Sequence, residues 1–275
     1  MAFFRLLWTF TWKQALCCIF PGIIFISLAL TKLLDIPFIT RYDLLLLICI
    51  IAQLLLIKFG LETWDELKVI LIFHVIGLVL EIYKVHMGSW SYPEPGFAKI
   101  FGVPLYSGFM YSSVASYICQ AWKRFDLQMT NWPNMWLITT LCVAIYGNFF
   151  THHYIMDFRW ILIVLVLVLF RKTYVYFKVS STQLKMPLSL SFLCIAFFIY
   201  LAENIASFYG AWSYPDQLIA WRPVHVSKIT SWYLLVIISI IIVAQLKFIK
   251  QNLALNESNR IETDKSEAPV VRPKS

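Results

Sequence analysis

The sequence predicts an all-α integral membrane protein with about eight transmembrane helices, arranged as two parallel four-helix repeats. Apolar residues make up 60% of the chain and charged residues 14%, and the mean hydropathy is +0.72. A soluble domain averages about 45–50% apolar and about 25% charged residues, and 275 residues cannot bury this excess. Lipid is therefore the expected solvent. Continuous apolar runs without strict alternation favour helices over barrel strands.

Eight segments along the chain are apolar enough to be candidates for transmembrane helices. A helix crosses the hydrocarbon core with about 20 mostly apolar residues, and about 17–25 are tolerated. Segments of this kind, some completed by polar or aromatic flanks, occupy residues 15–31, 42–57, 68–83, 104–122, 135–150, 154–170, 187–209 and 230–248. The fifth and sixth are separated by residues 151–153 alone, so six, seven and eight spans all remain open.

The basic residues predict which side of the membrane each loop occupies. With eight spans, most of the 23 lysines and arginines lie on the side that also holds both termini. The positive-inside rule makes that side cytoplasmic in a multi-pass protein of the cell membrane. This orientation accounts for the net charge of +8 without a nucleic acid as partner, so membrane lipid is the expected partner.

A short segment that follows the third span recurs after the seventh. Residues 81–94 read EIYKVHMGSWSYPE, and residues 203–216 read ENIASFYGAWSYPD. At a constant offset of 122 residues the identical pairs are Glu81/Glu203, Gly88/Gly210, Trp90/Trp212, Ser91/Ser213, Tyr92/Tyr214 and Pro93/Pro215. An even number of spans per copy predicts parallel repeats about an axis along the membrane normal. The halves are residues 1–122 and 123–250, and residues 251–275 are expected to be a disordered cytoplasmic tail.

Each copy of the repeat carries a glutamate inside its span, seven residues before the repeated glycine. Glu81 and Glu203 lie about 10 Å below the outer loop along a helix, and an acidic side chain at that depth indicates a functional site. A carboxyl group in such low dielectric stays protonated near neutral pH and can donate a proton. The structural alternative for Glu81 is an ion pair with Lys84, one turn along the helix.

Histidines gather on the predicted extracytoplasmic side. Because imidazole titrates near neutral pH, the candidates for proton transfer with the two glutamates are His86, His153 and His225. A metal ion is the alternative, but a regular helix would not aim the adjacent rings of His152 and His153 at one ion. The sequence has no HExxH or HxxxH motif, so no metal ligand is assigned and the cofactor stays open. Asp157 and Arg159 are expected to form a local ion pair.

These residues fit three functions. The first is an acid–base enzyme acting on a lipophilic, isoprenoid-like substrate, in which Glu203 supplies a proton. Aromatic π faces would line its pocket and stabilise a cationic intermediate; the residues are Trp90, Tyr92, Trp212 and Tyr214. A proton-coupled small-molecule transporter is the second, since internal repeats and buried acids also mark that class. The third is a membrane scaffold without chemistry, whose aromatics form an interfacial belt.

Three segments carry a family resemblance: residues 88–94 (GSWSYPE), 148–154 (NFFTHHY) and 210–215 (GAWSYP). On these the chain resembles the YoaT-like membrane family, a domain of unknown function (number 817), over most of its length except the tail. The resemblance implies a bacterial multi-pass protein and no particular activity. A weaker similarity to membrane carotenoid cyclases and hydratases involves Glu81, Glu203 and the segment Val103-Pro104-Leu105, while the acidic motifs typical of lycopene cyclases are absent.

Overall fold

The computed structural model describes residues 2–34 and 37–267, which are mostly helical. In chain order the helices are α1 (Ala2–Cys17), α2 (Ile19–Leu33), α3 (Arg41–Lys58), α4 (Trp64–His86), α5 (Tyr106–Phe125), α6 (Met135–Thr151), α7 (Arg159–Leu169), α8 (Leu188–Phe208) and α9 (Lys228–Glu267). The strands are β1 (Lys99–Ile100), β2 (Val103–Pro104), β3 (Gln128–Thr130), β4 (Tyr174–Val179) and β5 (Thr182–Pro187). Each predicted span overlaps one of the helices α2 to α9.

Helix α5 lies at the centre of the molecule and contacts α1, α2, α3, α4 and α9. Most of its side chains are buried, and many of them are small, which lets neighbouring backbones approach closely. Gly108 lies against the backbone and ring of His74 on α4, and Gly77 of α4 lies against the ring of Tyr111. These two glycines bring α5 close to the helix that carries Glu81.

The ends of the helices define two sides of the molecule. On one, Glu66 at the start of α4 accepts hydrogen bonds from Lys123, at the end of α5, and from Lys247 of α9, both at 2.6 Å. We call this the Glu66 side. The opposite side, where α4 and α8 end and α9 begins, is the Glu81 side and holds Glu81 and Glu203.

By length and composition, three helices of the described chain can cross a membrane: α4, α8 and the part Lys228–Ile249 of α9. Helices α1 and α2 pass the same test only as a pair, and the pair is bent by 68°. The bend explains why the predicted first span, residues 15–31, is not one straight helix. It falls next to Cys17 because Pro21, four residues on, lacks the N–H that would bond the Cys17 carbonyl.

Helices α6 and α7 are apolar but short, with 17 and 11 residues. Helix α7 begins at Arg159 and not at residue 154, because side chains hold the preceding loop in a non-helical shape. The amide of Asn148 donates to Asp157 Oδ1 at 2.9 Å and accepts from the backbone N–H of Phe158 at 3.0 Å. Asp157 Oδ1 also accepts from the backbone N–H of Arg159 at 2.9 Å, which gives the first N–H of α7 a partner.

A three-stranded antiparallel sheet, in the order β3-β4-β5, corrects the all-α prediction. The spans at residues 154–170 and 187–209 predict a loop over residues 171–186, but β4 is rich in β-branched and aromatic residues and every second side chain is buried, as is typical of a half-buried strand. Val175, Phe177 and Val179 face inwards and are buried. The hairpin turn is closed by Ser180 at a φ of +58°, and the sheet lies on the Glu66 side near α1 and α5.

The tail predicted to begin at residue 251 starts inside the last helix. Helix α9 continues to Glu267, and no glycine or proline occurs between residues 250 and 267 to end it. The rest of the predicted tail, residues 268–275, lies outside the described residues.

The close contact between α4 and α5 predicts that two glycine-to-alanine substitutions differ in their effect on stability. A Cβ at residue 108 would lie 2.7 Å from two ring atoms of His74 and 2.8 Å from its carbonyl oxygen. Gly108→Ala is therefore expected to cost about 1–3 kcal/mol of stability through overpacking. Gly147→Ala, where a Cβ meets nothing within 4 Å, is expected to be neutral or stabilising by up to about 1 kcal/mol. Thermal unfolding of the purified protein measures both, and equal effects would contradict the packing.

Candidate functional site

Glu81 lies near the end of α4 with 4% of its surface exposed. Three donors surround its carboxylate. The indole Nε1 of Trp90 and the hydroxyl of Tyr92 reach Oε2 at 2.6 and 2.8 Å, and the hydroxyl of Tyr111 on α5 lies 2.7 Å from Oε1. Each oxygen thus has a neutral partner, which compensates the cost of burying a carboxyl group.

Glu203 occupies the corresponding place on α8 and is 5% exposed. The Tyr214 hydroxyl, from the second copy of the repeat, bonds its Oε1. The indole Nε1 of Trp232 on α9 donates to Oε2 at 2.7 Å. Trp232 therefore donates to Glu203 as Trp90 donates to Glu81. Trp212, the repeat counterpart of Trp90, is instead buried in the wall of a neighbouring cavity.

The repeated glycine explains why both segments fold back over their helices. Gly88 and Gly210 each have a φ of +68°, the left-handed conformation that glycine adopts at least cost. In both copies the glycine and the next residue donate their backbone N–H to the last turn of the helix, the pattern of a Schellman motif. Each helix therefore stops at the same place and turns its Trp-Ser-Tyr segment towards its own glutamate.

The two segments pair with each other through their middle residue. The backbone N–H of Ser91 donates to the carbonyl of Ser213, and the N–H of Ser213 donates to the carbonyl of Ser91, both at 2.9 Å. Across this bridge the rings of Trp90 and Tyr214 lie 6.0 Å apart, as do the rings of Tyr111 and Trp232. Each ring pair joins a partner of Glu81 to a partner of Glu203, so the two acids belong to one centre.

Lys228, the first residue of α9, was missed by sequence reasoning. Its Nζ lies 4.9 Å from the ring centre of Trp90 and 4.5 Å from that of Tyr214. These are cation–π distances, and they place the ammonium between the two copies of the repeat. The available signal was a lone lysine at the start of the last apolar span.

Lys84 does not form the ion pair with Glu81 that its spacing suggested. Its buried Nζ lies 3.2 Å from Nε2 of His152 and 2.9 Å from Nε2 of His153. Nδ1 of His152 lies 2.9 Å from the carbonyl of Asn148, so Nδ1 carries the proton and Nε2 accepts from Lys84. Both rings approach the same ammonium because α6 ends at Thr151. His152 and His153 are therefore not held in the regular helix that would point their rings apart.

The remaining histidines are not at this centre. His86 and His225 are exposed, and the ring of His225 bonds the hydroxyl of Ser227 at 2.8 Å. Of the five proposed catalytic residues, the structure brings Glu81 and Glu203 together with His153 nearby, and it separates the other two. Of the four aromatic residues, Trp90, Trp212 and Tyr214 line the cavity described below, and Tyr92 lies behind Glu81.

The predicted ion pair of Asp157 and Arg159 is confirmed at 3.2 Å. Arg159 also donates to Thr230 Oγ1 at 3.2 Å, which ties α7 to the first turn of α9. The guanidinium therefore lies close to Lys228.

A cavity of about 970 Å³ runs along α5 between α1, α2, α8 and α9. Its end on the Glu81 side is polar and is lined by Glu81, Glu203, Lys84, His152, Arg159 and Lys228. The remainder is lined mostly by apolar side chains and extends to Phe177 and Met186 of the sheet. The lining residues of α5 run from Met110 to Phe125, a rise of roughly 22 Å along a helix.

The arrangement suits proton transfer at one end of an apolar pocket. A phenol hydroxyl both donates and accepts, so a proton can reside on the carboxyl oxygen that faces Tyr111 or Tyr214. Within the described ranges, no group of three or more His, Cys, Asp or Glu side chains is placed to hold a metal ion. Large apolar pockets with a few convergent polar groups are typical of binding sites for small lipophilic molecules.

Sequence comparison assigns the family. The family model described as "Protein of unknown function (DUF817)" matches residues 6–240. The chain belongs to this family. A relative, "Uncharacterized protein YoaT" of Bacillus subtilis (strain 168), is 57% identical over 242 residues, which cover 88% of this chain and 92% of that protein. The resemblance seen in the Trp-Ser-Tyr-Pro and His-His segments is therefore confirmed.

Two solved structures have a distantly similar backbone. They are the mycobacterial Insig homologue MvINS from Mycobacterium vanbaalenii, at 11% identity, and a cross-linked MvINS trimer, at 10% identity. In both cases the alignment covers 66% of this chain and 93% of the other, with a TM-score of 0.47.

The contacts of Lys84 predict a pH dependence of stability. Desolvation, followed by the charge of Lys84, lowers the pKa of His152 and of His153 below the usual value of 6.5. The unfolded chain therefore binds protons on these rings before the folded chain does, so stability is complete above about pH 6.5 and falls below it. The thermal midpoint is expected to drop on acidification, and His153→Gln is expected to reduce that drop. His225→Gln is the matched control, and an unchanged pH profile in His153→Gln would contradict the assignment.

Proposed function

We propose that the chain is a multi-pass protein of the cell membrane whose eight spans, α2 to α9, form two parallel four-helix repeats. Helix packing supports this arrangement. Helix α2 contacts α3 and α5, and α6 correspondingly contacts α7 and α9. Helix α4 packs on α5 as α8 packs on α9, and α5 meets α9 between the halves. The contact of α4 with α6 has its counterpart in that of α8 with α2.

The charge distribution supports a cytoplasmic Glu66 side, with both termini on it. Basic residues cluster there, among them Lys58, Lys123, Arg171, Lys178 and Lys185, as expected for cytoplasmic loops. Glu81 and Glu203 then lie near the extracytoplasmic face. Large apolar side chains are exposed on the outer surfaces of α6, α7 and α8, which supports membrane lipid as the partner.

Cysteine labelling tests this topology. Phe97→Cys and Tyr154→Cys, both exposed on the Glu81 side, are expected to react with a membrane-impermeant maleimide in intact cells. Ser181→Cys in the β4–β5 turn is expected to react only after lysis. Protection of Tyr154→Cys in intact cells would show that α6 and α7 do not cross the membrane as a pair, and labelling of Ser181→Cys would reverse the orientation.

We propose that the protein is an acid–base enzyme acting on a lipophilic, isoprenoid-like substrate that enters the cavity from the membrane. This proposal is supported above all by the position of the two buried carboxyl groups, which both line the polar end of one long apolar cavity. Glu203 donates a proton to the substrate, Glu81 in its ionised form removes one, and return of that proton from Glu81 to Glu203 restores the centre for the next turnover. The rings of Trp90 and Tyr214 already lie beside the ammonium of Lys228, so the face of Trp212, which also lines the cavity, is the one that stabilises positive charge developing on the substrate.

Lipid analysis of cells tests the enzymatic role. A strain lacking the gene is complemented with the wild type, with Glu203→Gln or with Glu62→Gln. Glu62 is a matched control, because it is also buried, at 2% exposed, but lies on the Glu66 side outside the cavity lining. A lipid product is expected with the wild type and Glu62→Gln, and about 10²–10⁴-fold less with Glu203→Gln, as for loss of a general acid. Thermal unfolding of each variant checks its fold.

Other outcomes would separate the alternative functions. Unchanged product with a folded Glu203→Gln would remove the enzymatic proposal. An unchanged lipid profile, together with pH-dependent uptake into proteoliposomes that Glu81→Gln abolishes, would favour the proton-coupled transporter. If neither property depends on the two glutamates, their role is to hold the scaffold together.

A further inference from the structure

The polar end of the cavity carries three cationic side chains, Lys84, Arg159 and Lys228. Lys228 contributes an unfavourable electrostatic interaction to Lys84, and Arg159 does so to both lysines. Of the three, Arg159 alone has a carboxylate within 4 Å among the ion pairs of the described chain, namely Asp157. Clustered positive charge facing an apolar cavity is costly unless an anion accompanies it.

The ammonium of Lys228 lacks a hydrogen-bond acceptor within the described chain. Its close neighbours are the ring faces of Trp90 and Tyr214, which attract its charge but fill none of its three N–H directions. Glu81, Glu203 and Asp216 attract it at longer range, but none of them forms an ion pair with it, and the oxygens of both glutamates are already bonded by indole and phenol groups. Lys228 therefore presents unused donors to the cavity.

Lys84 adds a second donor to the same end. Two of its N–H groups are directed at His152 and His153, and its side chain also lines the cavity. The hydroxyl of Ser231, one turn after Lys228 on α9, is on the same helix face and lines the cavity as well. The donors come from α4 and α9, which pack against each other.

The rest of the cavity fits a hydrocarbon chain. From the cations it follows α5 and α8 past Met110, Val114 and Phe198 towards Phe177. Its volume of about 970 Å³ is at the upper end of the range of about 300–1,000 Å³ for ligand pockets. A ligand that satisfies both ends has a long apolar tail and a compact anionic head.

We propose that the cavity binds the phosphate monoester of a long-chain lipophilic alcohol, with its phosphate among Lys84, Arg159 and Lys228 and its chain along α5. This assignment rests on the proposed function and names the class of its substrate. Phosphate matches the site because its several oxygens and more than one negative charge can engage three cations at once.

Binding to the purified full-length protein in maltoside micelles tests the assignment. The probes are geranylgeranyl phosphate, the uncharged geranylgeraniol and inorganic phosphate, and native mass spectrometry or tryptophan fluorescence reports binding. The phosphate ester is expected to bind about ten- to a hundredfold more tightly than the alcohol, the range for hydrogen bonds to a charged group. Lys228→Gln is expected to abolish most of this preference, and Lys228→Arg to retain it.

Lys185→Gln is the matched control, because Lys185 also lies over an aromatic ring, 5.7 Å from the centre of Tyr174, but on the Glu66 side. Equal binding of ester and alcohol, with no effect of Lys228→Gln, would overturn the phosphate assignment and leave the lipophilic pocket in place. Binding of inorganic phosphate as tight as that of the ester would overturn the lipid part. Failure of both long-chain probes to bind would overturn this inference. The proposed function would still be tested separately, by whether the lipid product in cells depends on Glu203.

Discussion

The site depends on the two reciprocal backbone hydrogen bonds between Ser91 and Ser213. Where a helix ends in a low-dielectric environment, unpaired backbone groups cost several kcal/mol each, on the order of a lost hydrogen bond or more. Here the segments that follow α4 and α8 satisfy one another. The pairing sets the separation of the two helix ends, so the Trp90 ring meets that of Tyr214 and both glutamates face the same cavity. A shift of either helix end would break both bonds together.

The two carboxyl groups and the Lys228 ammonium in this cavity differ in their hydrogen-bond partners. The oxygens of Glu81 and Glu203 are occupied by indole and phenol donors, which holds both carboxyl groups in fixed positions. Within the described chain, the ammonium of Lys228 lies beside the rings of Trp90 and Tyr214 and has no hydrogen-bond acceptor. Fixed acids and an available cation are what acid–base chemistry on a bound anionic lipid requires, because the charged head is held while the acids keep their geometry.

The cavity itself follows from a bend in the chain and from the small residues of α5. Pro21 breaks the first helix pair, so α1 turns away from the line of α2, and residues from both helices line the space beside α5. On its other faces α5 packs tightly, with Gly108 against His74. Because α5 is closely packed on one face and open on another, a long pocket remains in which a lipid chain fits.

The sequence by itself determined the membrane class, the family, the places of the helices and the pairing of Glu81 with Glu203, because composition and a repeated motif are local properties. It missed strands β3 to β5 and the non-helical loop before α7, where alternation or side-chain hydrogen bonds outweighed the apolar pattern. Only the tertiary structure decided that Lys84 contacts two histidines, that Lys228 lies between the repeats and that His86 and His225 lie elsewhere. Those contacts join residues far apart in the chain, and no spacing within a helix encodes them.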